Sequence, residues 1–243
     1  MRRVYLYKGF ERFWYWAQVI LVFSLMLTGF EIHGSFSMFG YQNAVGLHNT
    51  SAWMFIVLII FSIFWHITTE EWKQYVPTST NLKAQLQYYL GGIFKDSPHP
   101  TGKTLLSKLN PLQRLTYFGL KIVMIPLTVM SGLLYMFFHY PIKGIEIESL
   151  EYIALIHTAG AYLLIAFLVV HLYLITTGHT IGSNLKAMLT GWEDMNEDEI
   201  KDLVEDLIHD TEKIIKPSRR KKMKISGEVN ISLLMKEAAK KNL

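Results

Sequence analysis

The sequence predicts an all-α, integral membrane four-helix bundle with both ends in the cytoplasm and a cytoplasmic amphipathic helical tail. Three observations predict this fold. Hydrophobic residues make up 51% and aromatic residues 14% of the 243 residues. Four apolar segments are each long enough to cross a bilayer, which takes about 20 helical residues. Lysine and arginine are abundant in alternate links between these segments and scarce in the others.

The four apolar segments are rich in Leu, Ile, Val and Phe, and we predict membrane helices over 14–32, 45–68, 115–138 and 152–177. Lys121 is the one formal charge well inside any of them. The first segment is too long for a signal peptide, and no small-residue cleavage site follows Glu31. We therefore expect it to remain as a membrane helix.

The charges of the links predict the orientation. The first 13 residues carry four basic side chains, and the link between the second and third helices also contains many lysines. The link 33–46 contains no Lys or Arg, and the link between helices three and four has only Lys143 against Glu146, Glu148 and Glu151. Basic segments stay on the cytoplasmic side. The sequence therefore predicts a multi-pass membrane protein with its N-terminus and C-terminus inside.

Two units are predicted along the chain: a four-helix transmembrane domain over 1–192 and a charged, helical cytoplasmic tail over 193–243. In the second link, Asn81–Phe94 is predicted to form a short helix in the membrane interface.

The tail begins with a predicted amphipathic helix, Asn196–Lys216, in which Asn196 and Glu199 are predicted to form a cap pair. The basic run Arg219–Lys222 follows. We interpret this run as a solvated tail with a topology signal, and contact with an anionic inner leaflet is the alternative.

The chain contains no cysteine. This excludes disulfides, thiolate zinc sites, iron–sulfur clusters and thioether-attached haem within the chain. Any iron chemistry must therefore use histidine, methionine, tyrosine or carboxylate ligands.

Histidines on the second and fourth helices carry the predicted chemistry. His48 and His66 are five helical turns apart, so they share one face with a rise of about 27 Å between them. His157 and His171 also share a face, about 21 Å apart. Ionisable groups inside a membrane are rare and usually functional. Two antiparallel helices that each carry two imidazoles predict the axial ligands of two b-type haems.

Other readings of these residues stay open. A single histidine in a membrane helix can be a buried hydrogen-bonding group. Gly29, Gly46, Gly132 and Gly160 can leave room for haem or can simply pack helices closely. The competing classes are a haem-free transporter and a membrane anchor that use the same histidines. The sequence has no convincing internal repeat and only Pro126 as an interior helix breaker, whereas transporters often show repeats and broken helices.

Several short motifs add to the histidine pattern: Glu11–Trp16, Leu27–Gly29, His48, Asn110–Arg114 and the 14-residue spacing from His157 to His171. With them, residues 5–192 resemble the membrane cytochrome b subunits of bacterial formate dehydrogenases, nickel–iron hydrogenases and thiosulfate reductases. The spacing from His157 to His171 closely resembles the thiosulfate-reductase-like branch, and the segments Phe64–His66 and Thr177–Thr180 are also similar to it.

The resemblance implies an outer haem held by His48 and His157. It implies an inner haem held by His171 and a histidine of the first helix. The matching position here is Tyr15, because the chain reads Arg12-x-x-Tyr15-Trp where the family reads Arg-x-x-His-Trp. Three outcomes follow, in our order of preference. His66 completes the inner site, Tyr15 binds iron as a phenolate, or the inner haem is absent.

The resemblance also implies a location in a bacterial-type cytoplasmic (inner) membrane, and it implies the function. The chain would pass electrons between menaquinone or ubiquinone in the bilayer and an iron–sulfur subunit or multihaem cytochrome c at the outer face. The reaction that the chain itself catalyses would be the oxidation or reduction of quinone. Its other partner would be membrane lipid, and no nucleic acid is expected. The quinone is expected near the inner haem, with inner-side polar groups as candidates: Arg12, Tyr15, His66, Lys121 and His179. Lys121 can instead extend to the inner surface, and His179 can be an ordinary interfacial residue.

Overall fold

The computed structural model describes residues 1–95, 100–101, 108–139 and 150–214. Among these residues, four helices are long and apolar enough to cross a membrane, namely Gly9–Ile32, Tyr41–Thr69, Pro111–Phe138 and Glu151–Ile175. The predicted four-helix membrane bundle is confirmed. The charges of the third link, Lys143, Glu146 and Glu148, and the basic run Arg219–Lys222 lie outside the described residues.

In chain order, the elements are β1 (Arg2–Tyr5), α1 (Gly9–Ile32), α2 (Tyr41–Thr69), a 3₁₀ turn (Glu71–Tyr75), α3 (Leu82–Leu90), a second 3₁₀ turn (Gly92–Lys95), α4 (Pro111–Gly119), a π-helical segment (Leu120–Met124), α5 (Ile125–His139), α6 (Glu151–Ile175), α7 (Ser183–Thr190), β2 (Trp192–Met195) and α8 (Glu197–Ile214). The first membrane helix begins earlier than predicted because Glu11 caps it, accepting a hydrogen bond from the Lys8 amide at 2.7 Å. The predicted interfacial helix is the shorter α3.

The bundle is built from two helix pairs. α1 packs chiefly against α2, and α5 packs chiefly against α6. Small and hydroxyl-bearing residues lie at both contacts. Ser24 and Ser51 share a hydrogen bond of 2.8 Å between α1 and α2, and Gly160 of α6 lies directly against Thr128 of α5. Close packing through such residues is typical of membrane helices, where burial of apolar surface does not itself drive association.

The third membrane helix is interrupted by the π-helical segment Leu120–Met124 between α4 and α5. Pro126 follows within one turn. Proline has no amide hydrogen, and its ring clashes with the carbonyl four residues earlier, here that of Ile122. The wider π turn relieves this conflict within a continuous helix, and such turns are often found at functional sites. Lys121 lies in this segment.

A two-stranded antiparallel sheet joins the first residues of the chain to the segment after α6, with Arg2 opposite Met195 and Tyr5 opposite Trp192. We call this end of the bundle the sheet end, and the opposite end, which carries the link 33–40, the loop end. Gly191 precedes β2 with a φ of +86°, and a Cβ there would lie 2.5 Å from the Tyr5 ring. Glycine is therefore required at this turn. The sequence patterns did not predict the sheet.

The predicted amphipathic helix of the tail is confirmed as α8. Asn196 and Glu199 form the predicted cap, each side chain accepting a hydrogen bond from the other's amide at 2.8 Å. Its apolar stripe faces the protein at Leu203, which is only 2% exposed. Met195 of β2 is likewise buried at 1% exposure, so the start of the tail packs onto the sheet end.

Candidate functional site

A cavity of about 1430 Å³ extends through the interior of the bundle. It is larger than the usual range of roughly 300–1,000 Å³ for sites of small ligands. All four intramembrane histidines line it, together with Tyr15: His48, His66, His157 and His171. These five candidate ligands therefore line one space, although they do not form one cluster, whereas Arg12 does not line it.

His48 and His157 form a facing pair toward the loop end. Their ring centroids lie 6.3 Å apart, and the ring planes are inclined by 78°. Two imidazoles that bind one metal ion from opposite sides have centroids roughly 6–6.5 Å apart, because each metal–nitrogen bond is about 2 Å long. The pair thus has the separation that an axial ligand pair requires.

Hydrogen bonds fix which nitrogen of His48 carries the proton. The Thr28 hydroxyl donates its single hydrogen to the Ser24 carbonyl at 2.6 Å, and it lies 2.9 Å from Nδ1 of His48. Its oxygen must therefore accept from Nδ1–H. This leaves Nε2 of His48 unprotonated, and Nε2 makes no hydrogen bond to any residue in the described part of the chain.

His157 is fixed in the same way. Its Nδ1 lies 3.0 Å from the Thr128 carbonyl and 3.2 Å from the Ser131 hydroxyl, which itself donates to the Leu127 carbonyl at 2.7 Å. A carbonyl can only accept, so Nδ1 carries the proton and Nε2 keeps its lone pair. Partners of this kind at the far nitrogen are typical of histidines that bind metal, since they orient the ring and make it a stronger donor.

Two glycines make room for these rings. A Cβ on Gly132 would lie 2.9 Å from Cε1 of His157, and one on Gly29 would lie 3.4 Å from Cε1 of His48. In both helices the glycine directly follows the hydroxyl residue that holds Nδ1, in Thr28–Gly29 and in Ser131–Gly132. This hydroxyl–glycine pair is a signal that the sequence analysis missed.

His171 lies at a second site, nearer the sheet end. The Tyr117 hydroxyl is 3.1 Å from its Nδ1, and the Tyr15 hydroxyl is 3.5 Å from its Nε2. The Phe167 ring stacks on the imidazole at 5.6 Å. The structure thus brings Tyr15 to the position facing His171, and it adds Tyr117, which the sequence analysis did not single out.

His66 belongs to a different cluster. It is buried, its Nδ1 lies 2.7 Å from the Ser62 carbonyl, and its Nε2 lies 3.2 Å from Nζ of Lys121. The Trp14 and Tyr75 rings contact the imidazole at centroid distances of 5.5 and 5.3 Å. Both ring nitrogens are therefore engaged. No contact between His66 and His171 occurs within the described ranges.

Tyr75 lies outside the membrane helices, on the 3₁₀ turn that follows α2. Burial raises its pKa above the ordinary value, and nearby Glu11 adds to the effect. The phenol therefore remains neutral where it lies over Nζ of Lys121.

Arg12 and His179 connect elements at the sheet end. Arg12 donates from Nη1 to the carbonyl of Leu189 in α7 at 2.7 Å. His179 lies 3.2 Å from the carboxylate of Glu199 in α8. Arg12 thus links the first membrane helix to α7, and His179 links the turn after α6 to α8. Neither residue contacts His171 in the described structure.

The residues present fit a b-type haem. The loop-end pair offers two bare imidazole nitrogens at an appropriate separation, and His171 lies beside Tyr15 in the same cavity. Membrane cytochromes b hold haem through axial imidazoles that facing helices supply. The chain has no cysteine for thioether attachment, so its site belongs to this class.

Comparison with known proteins agrees with this class. Residues 6–191 match the family described as prokaryotic cytochrome b561, and the chain belongs to that family. It is also 30% identical over 205 residues to the putative cytochrome YdhU of Escherichia coli (strain K12), covering 78% of this chain and 74% of that protein. Membership implies b-type haem and haem-based electron transfer in a bacterial inner membrane.

Proposed function

We propose that the chain is the membrane electron-transfer subunit of an oxidoreductase complex, which passes electrons between quinone in the bilayer and a partner redox subunit at the outer face. The observation that carries this proposal is the separation of the candidate ligands into a loop-end pair and a sheet-end site within one cavity. When bound there, b-type haem supplies one-electron carriers. Two such carriers at different depths would connect the two membrane surfaces.

His48 and His157 hold the outer haem in this proposal. Thr28, Thr128 and Ser131 keep both imidazoles in the tautomer that has a free Nε2 lone pair. The glycines beside the rings leave room for both imidazoles. This part of the site is preorganised, because each ligand ring has a hydrogen-bonding partner of its own.

His171 holds the inner haem, and the geometry favours Tyr15 over His66 as its second ligand. The Tyr15 hydroxyl lies 3.5 Å from Nε2 of His171, whereas the ring nitrogens of His66 are bonded to Ser62 and Lys121. A phenolate ligand favours ferric iron, so this haem would be hard to reduce. His66 as the ligand, the first preference from the sequence, stays a prediction that haem counting on His66→Ala decides.

The orientation of the chain in the membrane determines where the partner subunit and the quinone would bind. The basic N-terminal segment and the segment after α6 meet at the sheet end, which supports placing that end in the cytoplasm. The loop end would then face outward toward an iron–sulfur subunit or a multihaem cytochrome c. Menaquinone or ubiquinone would bind near the sheet end.

The test is a count of haem on the purified protein by pyridine haemochrome, with a reduced-minus-oxidised spectrum. We expect two b-type haems in the wild type and one in His157→Ala, because that change removes an axial ligand of the outer haem only. His171→Ala should remove the other haem. A haem content that is unchanged in both variants contradicts the ligand assignment, and a wild type without haem would restore the transporter and anchor classes.

A further inference from the structure

Lys121 is a charged side chain inside a membrane helix, on the π-helical segment. Such a charge is costly in a bilayer and marks a functional site more often than a structural one. Its Nζ lies 3.2 Å from Nε2 of His66, 3.2 Å from the centroid of the Tyr75 ring and 4.9 Å from that of Trp14. Lys121 is therefore surrounded by one imidazole and two aromatic rings.

The hydrogen bonds of the Lys121 ammonium group are incomplete within the described ranges. An ammonium group has three N–H donors, and one of them goes to His66, whose Nδ1–H donates in turn to the Ser62 carbonyl. Within the described ranges, Lys121 makes no ion pair with a carboxylate and no other hydrogen bond. The rings of Tyr75 and Trp14 stabilise the cation through their faces, but they offer no lone pair. An oxygen acceptor from a ligand would complete the site.

The residues that surround Lys121 indicate which kind of ligand would supply that oxygen. Trp14, Tyr75, His66 and Lys121 all line the large cavity. Two aromatic rings beside one charged donor suit a flat, neutral ring with a carbonyl oxygen, because stacking and a charge-assisted hydrogen bond act together. We propose that Lys121, supported by His66, binds a carbonyl oxygen of the quinone headgroup between Trp14 and Tyr75. This inference rests on the proposed function and identifies the quinone site within it.

The location suits electron exchange with the sheet-end haem site. Trp14 contacts His66, and its chain neighbour Tyr15 contacts His171. The two sites are thus adjacent across α1 and share one cavity. A quinone bound at Lys121 becomes a quinol by accepting two electrons from the reduced protein and two protons from water at the sheet end. Quinol oxidation is the same step reversed.

Two other roles use the same residues. His66 could be an axial ligand, as the sequence first suggested, and Lys121 could bind a haem propionate, which is also an oxygen acceptor. These roles predict different outcomes, because each would alter the haem itself. Quinone binding at Lys121 alters only the reaction with quinone.

The experiment uses the haem-loaded protein in liposomes, reduced with dithionite and then mixed with menadione or decylubiquinone. Haem content, spectrum and midpoint potentials are measured on Lys121→Met and His66→Gln before the rate of haem reoxidation is followed against quinone concentration. Both variants should keep two haems at wild-type potentials. The quinone concentration for half-maximal rate should rise about tenfold or more in Lys121→Met, the usual loss for a hydrogen bond to a charged group. His66→Gln should show a smaller rise.

Lys73→Met is the matched control. Lys73 is exposed at the same end of the bundle, pairs with Glu70 and does not line the cavity. This variant should behave as the wild type does, which separates a specific role of Lys121 from a general loss of positive charge near the membrane.

Each remaining outcome is decisive. Loss of one haem in His66→Gln makes His66 an axial ligand and overturns the inference. Shifted potentials in Lys121→Met with unchanged quinone dependence assign Lys121 to a propionate. Wild-type behaviour of both variants shows that quinone binds elsewhere, while the proposed function survives. Failure of wild-type protein to react with either quinone overturns the proposed function itself.

Discussion

At the scale of single residues, the protonation of the imidazoles decides what the site can bind. Only an unprotonated nitrogen donates a lone pair to iron, and the proton position is set by the partner of the other nitrogen. Carbonyl and hydroxyl acceptors hold the proton on Nδ1 of His48 and His157. His66 also has its proton on Nδ1, but Lys121 occupies its lone pair. This difference separates ligand candidates that the sequence treated as equivalent.

The Thr28 hydroxyl should lower the midpoint potential of the outer haem. In Thr28→Val the side chain keeps its shape but no longer accepts from Nδ1 of His48, so the imidazole becomes a weaker donor and stabilises ferric iron less. We expect both haems to be retained and the midpoint potential of the outer haem to shift to a more positive value. Redox titration followed in the visible spectrum measures this shift.

Thr50→Val is the control for that experiment. Thr50 lies on the same helix as His48, and its hydroxyl donates to the Gly46 carbonyl at 2.9 Å. Its replacement should leave both potentials unchanged. If Thr28→Val also leaves them unchanged, the hydroxyl does not act on the haem through His48.

At the scale of elements, the sheet between β1 and β2 joins the segment before α1 to the segment after α7 at the sheet end. Arg3 and Lys186 both pair with Asp194, at 3.5 and 3.1 Å. These ion pairs are exposed and each contributes little. The tight turn at Gly191 and the contact of the Tyr5 and Trp192 rings at 5.3 Å therefore carry more of the stability of this end.

Gly191→Ala should destabilise the sheet end. Alanine is strained at a φ of +86°, and its Cβ would lie 2.5 Å from the Tyr5 ring. A strained backbone position costs about 1–3 kcal/mol. We expect a lower midpoint of thermal unfolding in detergent and faster proteolysis near residue 190, with haem content unchanged at the start of the scan.

Gly182→Ala serves as the comparison, because Gly182 has a φ of −102° and a Cβ there would meet no atom of the described residues within 4 Å. That variant should unfold at the wild-type temperature or slightly above it. Equal midpoints for the two alanine variants would mean that the Gly191 turn does not limit stability.

At the scale of the whole molecule, orientation determines which surface meets the partner and which end takes up protons. The absence of cysteine makes the chain a clean background for single-cysteine labelling. Ser35 on the link 33–40 and Ser79 between the membrane helices α2 and α4 are both exposed. They lie on opposite sides of the membrane if α2 spans it once.

Labelling of spheroplasts with a membrane-impermeant maleimide tests the predicted orientation. Ser35→Cys should react in intact spheroplasts, and Ser79→Cys should react only after lysis, because basic links stay on the cytoplasmic side. The reverse pattern would move the partner to the sheet end and contradict the proposed direction of proton uptake.

The sequence by itself determined the four membrane helices, the histidine faces and the capped tail helix. These features depend on local properties: apolar length, the helical repeat and side chains a few residues apart. Hydropathy located each span, and the helical repeat put His48 with His66 and His157 with His171 on common faces. The loop-end pairing of His48 with His157 was also expected, from the family resemblance.

Tertiary structure decided the partners at the other positions. His66 meets Lys121, and Tyr15 meets His171, because these contacts depend on how each helix is rotated and how deep it lies against its neighbours. The π-helical turn before Pro126 changes the register of the third membrane helix, which no periodicity in the sequence revealed. The sheet pairs residues 2–5 with residues 192–195, which are separated along the chain by nearly the whole membrane domain. Short strands of four residues carry too little pattern to predict, so only the packed bundle brings them together.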